Sequence, residues 1–199
     1  FFLKTNFKFL NRDLIKTILS VGFYGTITSI SGIIIYNIDT IMVNSFRGVA
    51  ETGVYSIAFF FGTIVILPSR MLKKIATTIL SDSWKDKNMD NVLRIYKGST
   101  INQLIIGIFL FLIVWVNIEN VFKILPESYQ AGRWVIFFIS LANVVEMLGG
   151  VNVNIITVSQ YYRANAVFVI ILIFFQILFN YLLLPILGIT GAAISTLIA

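Results

Sequence analysis

The 199-residue sequence contains no cysteine and no histidine, which removes disulfides, thiolate nucleophiles, imidazole metal sites and imidazole acid–base catalysis together. Charge is sparse as well. Only 12% of the residues are Asp, Glu, Lys or Arg, against 58% hydrophobic, and the mean hydropathy is +0.91. An ordinary soluble domain is excluded by that balance, and an integral membrane protein is indicated. The familiar enzyme signatures are missing too: there is no paired-aspartate motif in a loop, no Gly-rich phosphate loop, no histidine–acid pair and no serine elbow, so no enzyme is expected. Asp82, Asp86 and Asp90 fall four apart beside Lys85 and Lys87, which suggests a solvated helical face and not a metal site. The chain begins with Phe1, shows no signal-peptide pattern and stops inside an apolar run, so the reading is of an internal piece of a larger polytopic protein, lacking its N-terminus and truncated at its C-terminus.

What is present is a series of long apolar runs. Crossing a bilayer takes roughly 20 such residues, and Asp39 is the only charge between Lys16 and Arg47. The expected spans cover 15–46, 52–80, 98–118, 133–159 and 164–184, with a truncated sixth over 188–199. Continuous apolar runs favour helices over a transmembrane barrel, whose strands would show about ten residues of alternating polarity. The fold class is therefore all-α, a polytopic transmembrane bundle of about five complete spans and part of a sixth. Pro68 is expected to kink the inner end of the second span, and "MLKKIATTILSDSW" after it reads as an amphipathic extension with Lys73 and Lys74 at the interface.

The basic residues give the orientation. Twelve of the fifteen Lys and Arg fall on one side: Lys4, Lys8, Arg12 and Lys16, then the seven from Arg70 to Lys97, at the inner end of the second span and in the connection to the third, then Arg163. Only Arg47, Lys123 and Arg133 fall on the other, and the positive-inside rule makes the twelve-residue side cytoplasmic. The net charge of +6 is then a topology signal and an attraction to anionic headgroups, with no nucleic-acid role expected. The connections "RGVAE", "SQYYRAN" and "LPILGITG" are short, and "SDSWKDKNMDNVLRIYKGST" and "ENVFKILPESYQAG" are left as the only loops of any length.

Polar residues inside the spans carry the functional signal. Gly22, Gly25, Ser29, Gly32, Tyr36 and Asp39 recur three and four apart on one helical face, a pattern that fits close helix packing. An ionised carboxylate in a span is costly and faces a bundle interior or a wet cavity. Asp39 thus reads either as an interhelical anchor or as a cation or proton site, near the outer boundary. A second stripe, Asn143, Glu146, Gly150, Asn154 and Thr157, places Glu146 near mid-bilayer, either lining a cavity or packed as a protonated acid. Gln176 and Asn180 share a face of the fifth span, and Asn102 with Gln103 opens the third. Such amides bridge helices or bind hydroxyl-rich ligands. Arg70 reads as an interfacial charge or as a partner for an anionic headgroup.

Several stretches carry a family likeness. "NIDTIMVNSFRGVAETGVYSIAFFFGTIVILPSRMLKKI", the "LP..Y..G" pattern of Leu125, Pro126, Tyr129 and Gly132, and the "P.LGI.GAA" pattern of Pro185, Leu187, Gly188, Ile189, Gly191, Ala192 and Ala193 resemble the bacterial polysaccharide-biosynthesis membrane proteins. These are the O-antigen and lipid-linked oligosaccharide flippases of the multidrug/oligosaccharidyl-lipid/polysaccharide exporter superfamily. The likeness spans nearly the whole chain and would make it most of the second six-helix lobe, in a multi-pass protein of the bacterial cytoplasmic membrane. It implies two lobes about a central cavity and alternating access that carries an undecaprenyl-pyrophosphate-linked oligosaccharide outward for lipopolysaccharide, capsule or exopolysaccharide synthesis. The implied partners are the bilayer, the lipid-linked oligosaccharide and polysaccharide-assembly proteins. No cofactor is implied beyond a coupling proton or sodium ion. The pathway candidates are Asp39, Glu146, Asn143, Asn154, Asn180 and Arg70. An ion-coupled drug or small-solute antiporter of the same fold is the alternative, and a membrane-embedded glycan-assembly enzyme or scaffold is a third reading.

Overall fold

The structure, a computed structural model, describes residues 12–199; Lys4 and Lys8 of the basic segment lie outside the described residues. The described chain is helical throughout and contains no strand. In chain order the elements are α1 (Arg12–Arg47), α2 (Val49–Thr63), a 3-10 turn (Ile64–Ile66), α3 (Leu67–Lys85), α4 (Met89–Val116), α5 (Ile118–Ile124), a second 3-10 segment (Glu127–Gly132), α6 (Arg133–Leu148), α7 (Asn152–Val158), α8 (Tyr162–Leu187) and α9 (Ile189–Ile198). Five helical stretches are long and apolar enough to cross a membrane: Leu14–Arg47, Val49–Lys85, Met89–Val116, Glu127–Leu148 and Tyr162–Leu187. The chain is a multi-pass membrane protein of all-α architecture.

The hairpins are tighter than the sequence suggests. Gly188 separates α8 from α9 at φ 61 and ψ −145, a region open to glycine and costly for residues with a Cβ. Gly48 does the same between α1 and α2 at φ 85. Each of the expected outer loops there shrinks to about one residue. At the α8 end Arg47 reaches across and donates from Nη2 to the Leu184 and Pro185 carbonyls at 3.0 and 3.2 Å, adding to the Gly188 N–H that also reaches Leu184 and helping to satisfy the last carbonyls of the helix.

The expected long loop over 81–100 is also a correction. α3 runs to Lys85 and α4 starts at Met89, so only 86–88 is a turn, and Asn88 caps α4 by accepting the Asn91 backbone N–H at 3.0 Å. Asp82 therefore lies on α3, Asp86 at its end and Asp90 on α4, and the three aspartates do not share one helical face. The "ENVFKILPESYQAG" loop is itself mostly helical, folded as α5 and the second 3-10 segment.

Two of the expected spans are interrupted. In the second, the 3-10 turn Ile64–Ile66 joins α2 to α3, with Pro68 in the first turn of α3, where its missing N–H costs no hydrogen bond. The single span expected over 133–159 is broken after Leu148, because Gly150 takes φ 56 and α7 starts afresh at Asn152. A Cβ on Gly150 would lie 2.5 Å from Thr100 Oγ1, so both conformation and space require glycine there.

The core lies where the end of α1 meets α2, α6, α8 and α9, built from Val43, Tyr55, Ile136, Ile139, Leu184 and Ala192 among others. α6 packs on α9, α2 and α4, and α1 packs chiefly on α8 and α2. Close approach is made by Gly62 against Ile139 and by Gly191 against the Leu183 backbone. The glycine stripe of α1 does not pack as expected: a Cβ on Gly22, Gly25 or Gly32 would meet nothing within 4 Å. That face instead lines shallow clefts. At the outer end Trp115, Trp134, Phe137 and Phe138 form an edge-to-face cluster beside the Arg133–Glu119 ion pair of 2.6 Å, a belt of amphipathic rings suited to an interface.

Candidate functional site

Asp39 is the most constrained polar group in the bundle. It lies eight residues before the end of α1, about 12 Å along the axis at 1.5 Å per residue, and is only 2% exposed. Four side chains donate to its carboxyl group from three other helices. Gln176 Nε2 and Asn180 Nδ2 of α8 reach Oδ1 at 2.6 and 2.5 Å. Thr196 Oγ1 of α9 and the Tyr55 hydroxyl of α2 reach Oδ2 at 2.6 and 3.2 Å. Gln176 also donates to Thr196 Oγ1 at 3.2 Å, which closes a ring of polar groups inside an apolar core.

All four donors are neutral. They satisfy the oxygens' lone pairs but not their charge, and no Lys or Arg among the described residues forms an ion pair with Asp39. An ionised carboxylate at this depth therefore calls for a proton or a small cation. Asn180, fully buried, leaves its Oδ1 without a hydrogen-bond partner, one further oxygen beside the carboxylate.

A cavity of about 130 Å³ opens from this ring. Its wall includes Asp39, Gln176 and Thr196 at one end and Tyr36, Arg70, Asn143 and Glu146 further along. The volume admits an ion with a few waters, since a water takes about 30 Å³ in the liquid; an oligosaccharide does not fit. Arg70 stacks its guanidinium 5.9 Å from the Tyr36 ring centroid, and Tyr36 packs edge-on to Phe59.

Of the six residues singled out in the sequence, Asp39 and Asn180 touch directly, and Asp39, Arg70, Asn143 and Glu146 share this cavity. Asn143 is held by its own fold, donating to the Gly62 and Ile139 carbonyls at 3.1 and 2.9 Å. Glu146 pairs with Lys73 Nζ at 2.8 Å, its side chain 57% exposed. The break after Leu148 puts Glu146 in the last turn of α6 and not at the middle of a span as expected, and Lys73 of α3 reaches it there. Asn154 stands apart, donating to Thr77 Oγ1 at 2.7 Å to fasten α7 to α3.

Thr196 and Tyr55 are absent from the sequence-based candidates, although both contact the carboxyl group. The signal was available: Asn180 and Thr196 lie eight residues either side of Gly188, while Asp39 and Tyr55 lie nine and seven either side of Gly48. Two hairpins folded about those glycines bring four polar residues to one depth. Compared with known proteins, the chain matches no protein-family model, no curated protein and no solved structure.

Proposed function

We propose that this chain forms one lobe of a flippase that moves an undecaprenyl-pyrophosphate-linked oligosaccharide from the inner to the outer leaflet of the bacterial cytoplasmic membrane by alternating access. The observation that carries the reading is the buried Asp39 carboxyl group, held by neutral donors from three neighbouring helices and opening on a cavity that also carries Arg70 and Glu146. A bundle built only for stability gains little from such an arrangement, because interhelical hydrogen bonds in membranes contribute about 0.6 kcal/mol on average. A coupling proton or sodium ion at Asp39 gives the arrangement a use. The small cavity takes the ion, the guanidinium of Arg70 offers charge to a pyrophosphate, and the glycan passes outside this lobe's core, between it and the rest of the transporter. The family resemblance of the "GVYSIA", "LP..Y..G" and "P.LGI.GAA" stretches supplies the substrate class.

The test is the sidedness of undecaprenyl-linked oligosaccharide in cells lacking the full-length protein, read with a sugar-binding reagent confined to the outer face. Accumulation on the cytoplasmic side, reversed by the wild-type gene, supports flipping; unchanged sidedness and normal surface glycan refute it. The second reading, an ion-coupled drug or small-solute antiporter of the same fold, is favoured by the same unneutralised carboxyl group. Proteoliposomes that expel a cationic dye down an imposed proton or sodium gradient, and lose this activity with Asp39→Asn, would support it over flipping.

A further inference from the structure

One of the clefts along the glycine face of α1 lies at the other end of the bundle, away from Asp39. Its volume is about 220 Å³ between α1, α7 and α8, and although much of its surface is apolar, Tyr24, Thr28, Ser29, Thr157, Tyr162 and Asn165 bring polar groups to it. The hydroxyls of Thr28, Ser29 and Thr157 donate to carbonyls of their own helices, at Tyr24, Gly25 and Val153, so their oxygens remain as acceptors towards the cavity. Asn165 is 5% exposed, and no hydrogen bond from the described residues reaches its amide. The residue is otherwise buried and its amide opens on the cavity wall, so both its donor and its acceptor are free to meet a ligand there.

Arg163 stands next to this cavity. Its Nη2 donates to Ser20 Oγ at 3.2 Å and its Nε to the Tyr162 hydroxyl at 3.4 Å. Its guanidinium lies 5.7 and 5.8 Å from the Tyr24 and Tyr162 ring centroids, and Ser20 and Tyr162 hydrogen-bond each other at 2.8 Å. No carboxylate among the described residues pairs with it. The exposed guanidinium is oriented by these hydroxyls and rings, in the turn that opens α8, at the end of the bundle where Lys and Arg concentrate. By the positive-inside rule that end faces the cytoplasmic leaflet, at the depth of lipid headgroups.

We propose that Arg163 and this cavity bind the headgroup of a lipid that carries a polyol on a phosphate. The phosphate pairs with the guanidinium, and the adjoining hydroxyl-bearing group enters the cavity against Asn165, Thr28 and Ser29. The cavity is smaller than the roughly 300 Å³ at which drug-sized sites begin, which fits a single glycerol or sugar unit and not a chain of them. A phosphate next to a polyol occurs both in bulk phosphatidylglycerol and in a lipid-linked saccharide. The site extends the flipping proposal without depending on it, since it concerns equilibrium binding only.

The experiment is calorimetric titration of the full-length protein in detergent with three short-chain probes: phosphatidylglycerol, phosphatidylcholine and an isoprenyl-phosphate-linked N-acetylglucosamine. At least one polyol-bearing probe is expected to bind about tenfold tighter than phosphatidylcholine. Arg163→Gln should weaken that binding about tenfold, and Asn165→Ala about fivefold, as losses of one charged and one neutral hydrogen bond. Thr28→Val, which removes a hydroxyl at a partly exposed position, should weaken it about threefold in a protein that remains monodisperse, and so covers the case in which Asn165→Ala misfolds. A preference for the sugar probe assigns the site to lipid-linked saccharide, and a preference for the glycerol probe assigns it to bulk lipid. No discrimination from phosphatidylcholine, or variants within twofold of wild type, overturns the proposal. Either result leaves the cell-based test of flipping unaffected.

Discussion

Asp39 permits a test in which two substitutions at one position part company. In Asp39→Asn the amide oxygen can still accept from Gln176 and Asn180, while the new amino group donates to Thr196 Oγ1 and the Tyr55 hydroxyl, both of which can turn to accept. The ring of hydrogen bonds survives, and the expected stability change is within about 1 kcal/mol of wild type, one neutral hydrogen bond at most. Asp39→Ala removes both acceptors and leaves the fully buried Asn180 amide without its partner, while Gln176 keeps only its 3.2 Å bond to Thr196 Oγ1. With one orphaned amide at roughly 1–3 kcal/mol and the lost bonds of Gln176, Thr196 and Tyr55 at about 0.5–1.5 kcal/mol each, the loss is at most about 2–7 kcal/mol. Chains unfolded within the membrane find substitute partners, which places the expected value near the lower end, about 2 kcal/mol. The assay is reversible unfolding of the full-length protein in mixed micelles, paired with flux at equal membrane abundance. Flux should be lost in both variants, but stability only in Asp39→Ala. Equal stability of the two variants would refute the hydrogen-bonding argument, and full flux in Asp39→Asn would remove ion coupling from this residue.

Glu146→Gln should reduce transport without loss of folded protein, because the Lys73–Glu146 pair is more than half exposed on the acid side and such pairs contribute about 0–1 kcal/mol; unchanged flux at equal abundance would take Glu146 out of the mechanism. Gly150→Ala combines a left-handed φ with a Cβ 2.5 Å from Thr100 Oγ1, and thermal unfolding should show a loss of roughly 1–3 kcal/mol; a neutral substitution would mean that the α6–α7 break is not held where it stands. Gly191→Ala would put a Cβ 2.4 Å from the Leu183 carbonyl oxygen and 2.7 Å from its carbon, atoms that move only with the helix. It should part α9 from α8, so that a cysteine pair engineered across them no longer crosslinks; retained crosslinking at the wild-type rate would contradict the packing described for α9.

How much of this was legible in the sequence depends on what each feature costs in the membrane. The spans were legible because a long apolar run has one economical solution in a bilayer, a helix. Their ends were less so. Single glycines at 48 and 188 make turns that occupy almost no sequence, and the polar stretch over 81–100 looks like a loop although two amphipathic helix ends and a three-residue turn fill it. Asp39 stood out because a carboxylate in an apolar run is rare and expensive, whereas Thr196 and Tyr55 cost little in isolation and lie within stretches that read as packing and hairpin signals. Nothing local distinguishes a threonine that binds its own helix from one that also reaches a carboxylate; the difference is which helices adjoin, and that is a tertiary fact. The same holds for Lys73. The positive-inside rule draws lysines to the interface, yet this one spans α3 to α6 to meet Glu146.

These placements put the two acids of the cavity under different kinds of control. Asp39 is clamped by α2, α8 and α9 at the outer end, while Glu146 is tethered to α3 by one half-exposed ion pair. α2 and α3 are a single membrane crossing, joined by the 3-10 turn Ile64–Ile66 and passing Gly62, where a Cβ would come within 2.8 Å of Ile139. A 3-10 stretch within a span marks a point where a helix can bend. It lies between the residue that contacts Asp39, Tyr55, and the residue that contacts Glu146, Lys73. The turn is itself packed into the core, with Val65 and Ile66 buried, and α6, which carries Glu146, also packs directly on α2 and α9, so a shift at Asp39 reaches Glu146 through these helix contacts as well as along the α2–α3 crossing.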